Sequence, residues 1–254
     1  WNSPFKVRDR VYHKHTFFLK LIEMGGYNDV TQAVLDRLAD EFVYADLLQA
    51  IEEAHHPDLD PLLYEEAAER IRWLARSNYH LTFPDDCDVS EVVIYPVTEN
   101  ESRGIEDARF VRFVDEDGAA TYYGTYTAYN GFHILPQLIE TPDFHHFRIS
   151  TLNGQYAQNK GAALFPRKID GWYMMISRVD GENLWLMWSD NIRFWNEAKR
   201  LQAPTFPWEF VQIGNCGSPL ETAAGWLLLT HGVGPMRRYC IGATLLDLED
   251  PTHV

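Results

Sequence analysis

Between residues 28 and 76 the apolar positions recur at helical spacing. Val30, Val34, Leu38, Phe42, Ala45 and Leu48 fall three or four residues apart behind Asn28 and Asp29, residue types that cap helix starts. A second helix is expected behind Asp60, with Pro61 suited to the first helical position. Glu65, Glu66 and Glu69 precede Arg70, Arg72 and Arg76, the charge order that complements the helix dipole, while Leu63, Ala67, Ile71 and Leu74 supply a stripe for burial. A short link around His55 to Asp58 then makes the pair an antiparallel hairpin.

After about residue 89 the pattern changes to short runs of Val, Ile, Tyr, Phe and Trp separated by Gly, Asp, Asn and Pro turns, which is an all-β signal. Gly118, Gly171 and Gly225 each precede an apolar strand (121–126, 172–177 and 226–231), so the pattern repeats at a period of just over fifty residues. Second strands follow at 184–189 and 238–246. That period is the size of one four-stranded propeller blade, and radial stacking lets each blade cover its neighbour. The expected fold is an all-β propeller with about three blades visible and a helical insertion before them; a differently closed sandwich is the alternative. Three blades do not close a ring, and the chain opens on Trp1 without a Met, so it reads as part of a longer one. The expected division is a leading segment at 1–27, compatible with the remnant of an earlier blade, a helical hairpin at 28–80, and blades at 81–254.

Composition narrows the partners. Across 254 residues, Lys and Arg total 22 against 37 for Asp and Glu, a formal charge of -15 that disfavours nucleic acid and anionic membrane surfaces. No apolar run approaches the roughly 20 residues of a spanning helix. Cys87, Cys216 and Cys240 are odd in number, far apart and without a CxxC pair, which argues against a disulfide framework and points to a cytoplasmic home. The sequence has no GxGxxG, Walker loop, HExxH or GxSxG. The histidine pairs 13/15, 55/56 and 145/146 lack supporting carboxylates, so no metal is expected. Trp172, Trp185, Trp188, Trp195, Trp208 and Trp226 are expected mostly in the core.

Candidate chemistry lies at strand ends. The densest segment runs from Gly104 through Ile105, Glu106, Asp107 and Ala108 to Arg109, ahead of the apolar alternation 110–114. In a regular strand successive side chains point to opposite faces, so Glu106 and Asp107 are not expected to enter the same channel. The plain alternative is an Asp107 to Arg109 ion pair. Later strands add Lys160, Arg178, His231, the Arg237–Arg238 pair and Tyr239, whose convergence in so acidic a chain would make an anion site. Surface ion pairing of the arginines and a structural role for His231 are the alternatives. Cys216 has no histidine paired with it by sequence and reads as a packed residue.

Four stretches resemble glycoside hydrolase family 130, the five-bladed propellers that include the β-mannoside phosphorylases. They are Gly-Ile-Glu-Asp-Ala-Arg at 104–109, Asn-Lys-Gly-Ala-Ala-Leu-Phe-Pro at 159–166, Gly-Trp-Leu-Leu-Leu-Thr-His-Gly at 225–232, and 239–251 from Tyr239 to Pro251. The resemblance covers roughly residues 90–254. It implies inverting cleavage of β-linked mannosides by inorganic phosphate, giving mannose 1-phosphate, with no cofactor beyond phosphate as co-substrate. By the same resemblance Asp107 is the catalytic acid, passing its proton through a sugar hydroxyl. Lys160, Arg178, His231 and Tyr239 fall in the phosphate pocket; Glu106, Arg109, Asn159 and Arg238 are the accompanying candidate sugar contacts. Homo-oligomers are common among such proteins. Many phosphorylases carry Pro where this chain has Ala108, which leaves the subgroup and acceptor sugar open. An inverting hydrolase of the same fold and a non-catalytic sugar-binding propeller fragment are the other functions considered. The hydrolase would need a second carboxylate about 6.5–9.5 Å from the acid.

Overall fold

The computed structural model describes residues 5–8, 10–56, 60–132 and 134–254. The chain begins with strand β1 (Lys6–Arg8) and the two-residue β2 (Tyr12–His13), then helices α1 (Lys14–Glu23) and α2 (Asp29–Asp36). A second two-residue strand, β3 (Glu41–Phe42), leads into α3 (Tyr44–Ala54) and α4 (Pro61–Arg76). Among the described residues three helices, α2 to α4, occupy 28–76 in place of the expected two, and α1 precedes them. The single helix expected across 28–48 is broken because Lys14 N donates to Asp40 O at 2.8 Å and β2 pairs with β3, pulling the chain out of helical geometry. Phe42 then stacks on Tyr12 with ring centroids 5.3 Å apart and meets Phe17 edge-on.

The break also resets the phase of the next helix. Leu47, Ala50, Ile51 and Ala54 face the helical core, whereas Ala45 and Leu48 are exposed. In α4 the buried position is Tyr64, not Leu63, which is 56% exposed. The helix starts form as their caps dictate: Asn28 Oδ1 accepts from Thr31 N at 3.0 Å, and Asp60 Oδ1 from Leu62 N at 2.9 Å ahead of Pro61. Of the link expected around His55 to Asp58, Pro57 and Asp58 lie outside the described residues. Among the described residues no helix is long and apolar enough to cross a membrane.

Three antiparallel sheets follow in a propeller-like, mostly β arrangement. The first joins β1 to β4 (Tyr79–Thr82), β5 (Gly104–Val114), β6 (Ala120–Tyr129), β7 (Ile134–Thr141) and β8 (His146–Thr151) in the order β1-β4-β8-β7-β6-β5. Its flanking pair β1 and β4 brackets the helices, so the helical unit is looped out between neighbouring strands. The second sheet contains β9 (Lys160–Leu164), β10 (Tyr173–Arg178), β11 (Leu184–Ser189) and β12 (Glu197–Gln202). The third contains β13 (Gln212–Asn215), β14 (Leu220–Thr222), β15 (Gly225–Val233) and β16 (Tyr239–Leu246). Gly118, Gly171 and Gly225 all have positive φ, which is why glycine punctuates the period.

The middle sheet is buried on both faces, and its side chains alternate between two cores. Met175 and Met187 pack with Phe113 and Leu138 of the first sheet, while their neighbours Ile176 and Leu186 pack with Ile213, Trp226 and Leu228 of the third. Backbone links reinforce both seams: Val114 N donates to Pro166 O and Ile213 N to Glu182 O, each at 2.9 Å. Of the tryptophans expected in the core, Trp195 and Trp226 are fully buried, but Trp172 and Trp208 are about two-fifths exposed.

Inside the first sheet sits a fully buried acid. Glu101 Oε1 accepts from the hydroxyls of Tyr79 and Tyr126 at 2.7 and 2.6 Å, and Oε2 accepts from Val97 N and Thr98 N at 2.8 and 3.0 Å. Removing it strands two buried tyrosine hydroxyls and frees two part-buried backbone donors, and each unsatisfied buried group costs about 1–3 kcal/mol. Glu101→Ala is therefore expected to lower the urea midpoint by an amount equivalent to at least ~3 kcal/mol. A loss under ~1 kcal/mol would show that the tyrosines find water instead.

Candidate active site

The strand ends expected to carry chemistry converge. A hollow of about 990 Å³ is lined by Glu106, Asp107, Arg109, Asn159, Lys160, Arg178, His231 and Tyr239, with contributions from all three sheets. Glu106 and Asp107 both reach it, contrary to the alternation expected for a regular strand. The reason is a β-bulge: Glu106 pairs with Thr127 and Arg109 with Thr125, so Asp107 and Ala108 together face the single residue Tyr126. Asp107 takes φ +59°, a left-handed conformation that Asp tolerates better than most residues. The extra residue re-aims its side chain into the hollow.

The cations arrive from the neighbouring sheets. Lys160 opens β9 directly opposite Arg178 at the end of β10. Asn159 turns the chain into β9 with φ +64° and its Oδ1 accepts from Lys160 N at 2.9 Å. His231 lies in the middle of the third sheet between Gly214 and Ile241, and its ring stacks on Tyr239 with centroids 5.9 Å apart. Two glycines make this crowding possible. A Cβ on Gly214 would sit 2.7 Å from His231 Cε1 and 3.4 Å from Arg178 Nη1, and one on Gly161 would sit 3.3 Å from Arg109 Nη1.

The charges are unevenly matched. Lys160 Nζ bonds Glu106 Oε2 at 2.8 Å. Arg109 Nη2 donates to the carbonyl of Asn215 at 3.3 Å. Burial pulls the pKa of both Arg109 and Arg178 below the usual guanidinium value, and Asp107 raises each of them partway back. Arg178 also lowers Arg109. His231 is held below the ordinary imidazole value by burial, then by Arg178 and Arg109, against a smaller upward pull from Asp107, which leaves it neutral at pH 7. The hollow thus presents one carboxylate free of a bonded lysine, the guanidiniums of Arg109, Arg178 and Arg237, and a neutral imidazole, a set suited to a proton donor facing an oxyanion.

Several lining groups carry no charge and escaped the sequence reading. Gln212, with its carbonyl turned to Arg178, accepts from Nη1 at 2.5 Å and donates to Gly181 O at 3.3 Å. Asn215 is completely buried, and its Oδ1 and the Nε of Arg178 are buried without a hydrogen-bond partner. Arg237 lines the hollow and Arg238 does not. Left-handed backbone at Met236 and Arg237, in a turn closed by Gly234 N to Arg238 O, exchanges the two. Cys216, for which no histidine was expected, has its Sγ 4.0 Å from His231 Nδ1, but burial raises its thiol pKa and Arg109 offsets this only in part.

Residues 87–254 match the family model Glyco_hydro_130, described as beta-1,4-mannooligosaccharide phosphorylase. The chain belongs to glycoside hydrolase family 130. It is similar to a β-1,2-mannobiose phosphorylase of Listeria innocua, 31% identical over 205 residues, which span 77% of this chain and 54% of that protein. It is also similar to a 1,2-β-oligomannan phosphorylase of Thermoanaerobacter, 33% identical over 62% of this chain and 52% of the relative. The structure of the Listeria β-1,2-mannobiose phosphorylase in complex with β-1,2-mannobiose superposes with a TM-score of 0.53 at 28% identity, over 69% of this chain and 50% of that one. The chain therefore spans about half the length of the family 130 relatives it matches.

Because burial, and then Arg178 and Arg109, depress His231, an NMR titration is expected to place its midpoint below the ordinary imidazole value. Arg178→Ala should move that midpoint up and Asp107→Asn should move it down. Opposite movements, or none, would contradict the shared electrostatic site.

Proposed function

We propose that the site performs phosphorolysis of β-mannosides with inversion, releasing mannose 1-phosphate. The observation that supports this most is the meeting of Asp107 with Lys160, Arg178, His231 and Tyr239 around one hollow. In this reading phosphate binds against Arg178, Lys160 and the imidazole of His231, whose neutral ring offers one N–H donor. A phosphate oxygen forms the new bond to the anomeric carbon as the glycosidic C–O bond breaks. The proton from Asp107 reaches the leaving oxygen through a sugar hydroxyl, so no charge accumulates on the departing sugar. Arg109 on β5 and Asn159 ahead of β9 contact the sugar.

Hydrolysis by the same fold is the competing reading, and the partnership of Glu106 weighs against it. An inverting hydrolase needs a second carboxylate as base for water. Glu106 is the other acid in the hollow, and its Oε2 is already taken up by Lys160 Nζ at 2.8 Å rather than left open to a water.

The decisive assay incubates the chain with β-1,2- and β-1,4-linked mannobiose, with and without phosphate. Mannose 1-phosphate is expected only with phosphate; free mannose formed equally without it overturns the proposal. Asp107→Asn should lower kcat by about 10²–10⁴-fold. Arg178→Ala, which removes a charge-assisted contact of about 1.5–3 kcal/mol, should raise the KM for phosphate roughly 10- to 150-fold.

A further inference from the structure

A second cationic cavity lies at the seam between the helical unit and the first two sheets. It holds about 160 Å³, well above the roughly 15 Å³ that holds one water, and shares no lining residue with the hollow around Asp107. Arg10, Lys20, Arg148 and Arg193 line it, contributed by the segment before β2, by α1, by β8 and by the turn after β11.

These four cations have two carboxylates among them. Lys20 Nζ bonds Glu23 at 2.8 Å, while Arg148 and Arg193 share Glu140 at 3.5 and 2.7 Å. Among the described residues Arg10 has no carboxylate partner within ion-pair distance, and its Nη1 donates to Asn78 Oδ1 at 3.1 Å. The Nε of Arg193 is buried without a hydrogen-bond partner. Burial, then Arg193 and Arg148, pull the pKa of Arg10 down to about 10, so it remains charged at neutral pH against its neighbours' repulsion. Excess positive charge and an unused arginine donor in one recess, within a chain of net charge -15, are what an anion relieves.

We propose that this cavity binds a small multivalent oxyanion of the phosphate class, which clamps α1 against β8 and the turn after β11. The volume admits a tetrahedral oxyanion.

The test is calorimetric titration with inorganic phosphate, in phosphate-free buffer, of the full chain, of Arg178→Ala and of Arg178→Ala combined with Arg10→Gln. Arg178→Ala weakens phosphate binding at the hollow roughly 10- to 150-fold under the function proposed above, so the two sites report separately. A phosphate site surviving in Arg178→Ala and weakened at least tenfold by Arg10→Gln is the expected result. Loss of all binding in Arg178→Ala, or residual binding that Arg10→Gln leaves unchanged, overturns the proposal. Equal binding by the full chain and Arg178→Ala, sensitive to Arg10→Gln, would sink only the phosphate role of the hollow. Should the double variant fail to fold, hydrogen exchange on Arg178→Ala decides. Slowed exchange with phosphate in 14–23 and 146–151 supports the clamp, and unchanged exchange there contradicts it.

Discussion

One carboxylate set against two half-buried guanidiniums governs the candidate site. Arg109 and Arg178 approach closely enough for the charge of Arg178 to depress Arg109, and both are partly desolvated. Asp107 is the charge that offsets their repulsion, and it raises the pKa of each arginine and of His231. The bulge between Glu106 and Arg109 makes this arrangement possible, since a regular ladder would send Glu106 and Asp107 to opposite faces. Backbone irregularity, electrostatic balance and reactive geometry are thus one feature of β5.

The fold holds this feature still through the middle sheet. Its alternating residues lock it to both neighbours, so Lys160 and Arg178 on β9 and β10 cannot shift relative to Asp107 on one side or His231 on the other without opening a packed core. Gly161 and Gly214 remove the side chains that would block the last approach. Membership of family 130 accords with this division of labour, in which stacked blades fix distances and short polar segments at the strand ends supply groups.

Much of this was legible in the sequence. The glycine period announced the blades because each repeat needs a positive-φ turn before an apolar strand, and charges at strand ends marked the cations. Four things were not. The helix phase after residue 36 depends on pairing between β2 and β3, a long-range contact that periodicity does not carry. Entry of both Glu106 and Asp107 into the hollow depends on a bulge that an alternation rule excludes. Gln212 and Asn215 are uncharged, and in a sequence nothing separates them from ordinary loop amides; a turn of left-handed residues exchanged Arg237 for Arg238.

The most direct measurement is the location of a heavy tetrahedral oxyanion, such as selenate, by anomalous scattering from crystals of this chain. The account places an anion within hydrogen-bond reach of Arg178 and Lys160, with the Asp107 side chain directed at it across the hollow. Anomalous density confined to other surfaces, or an Asp107 side chain pointing into solvent away from both guanidiniums, would contradict it.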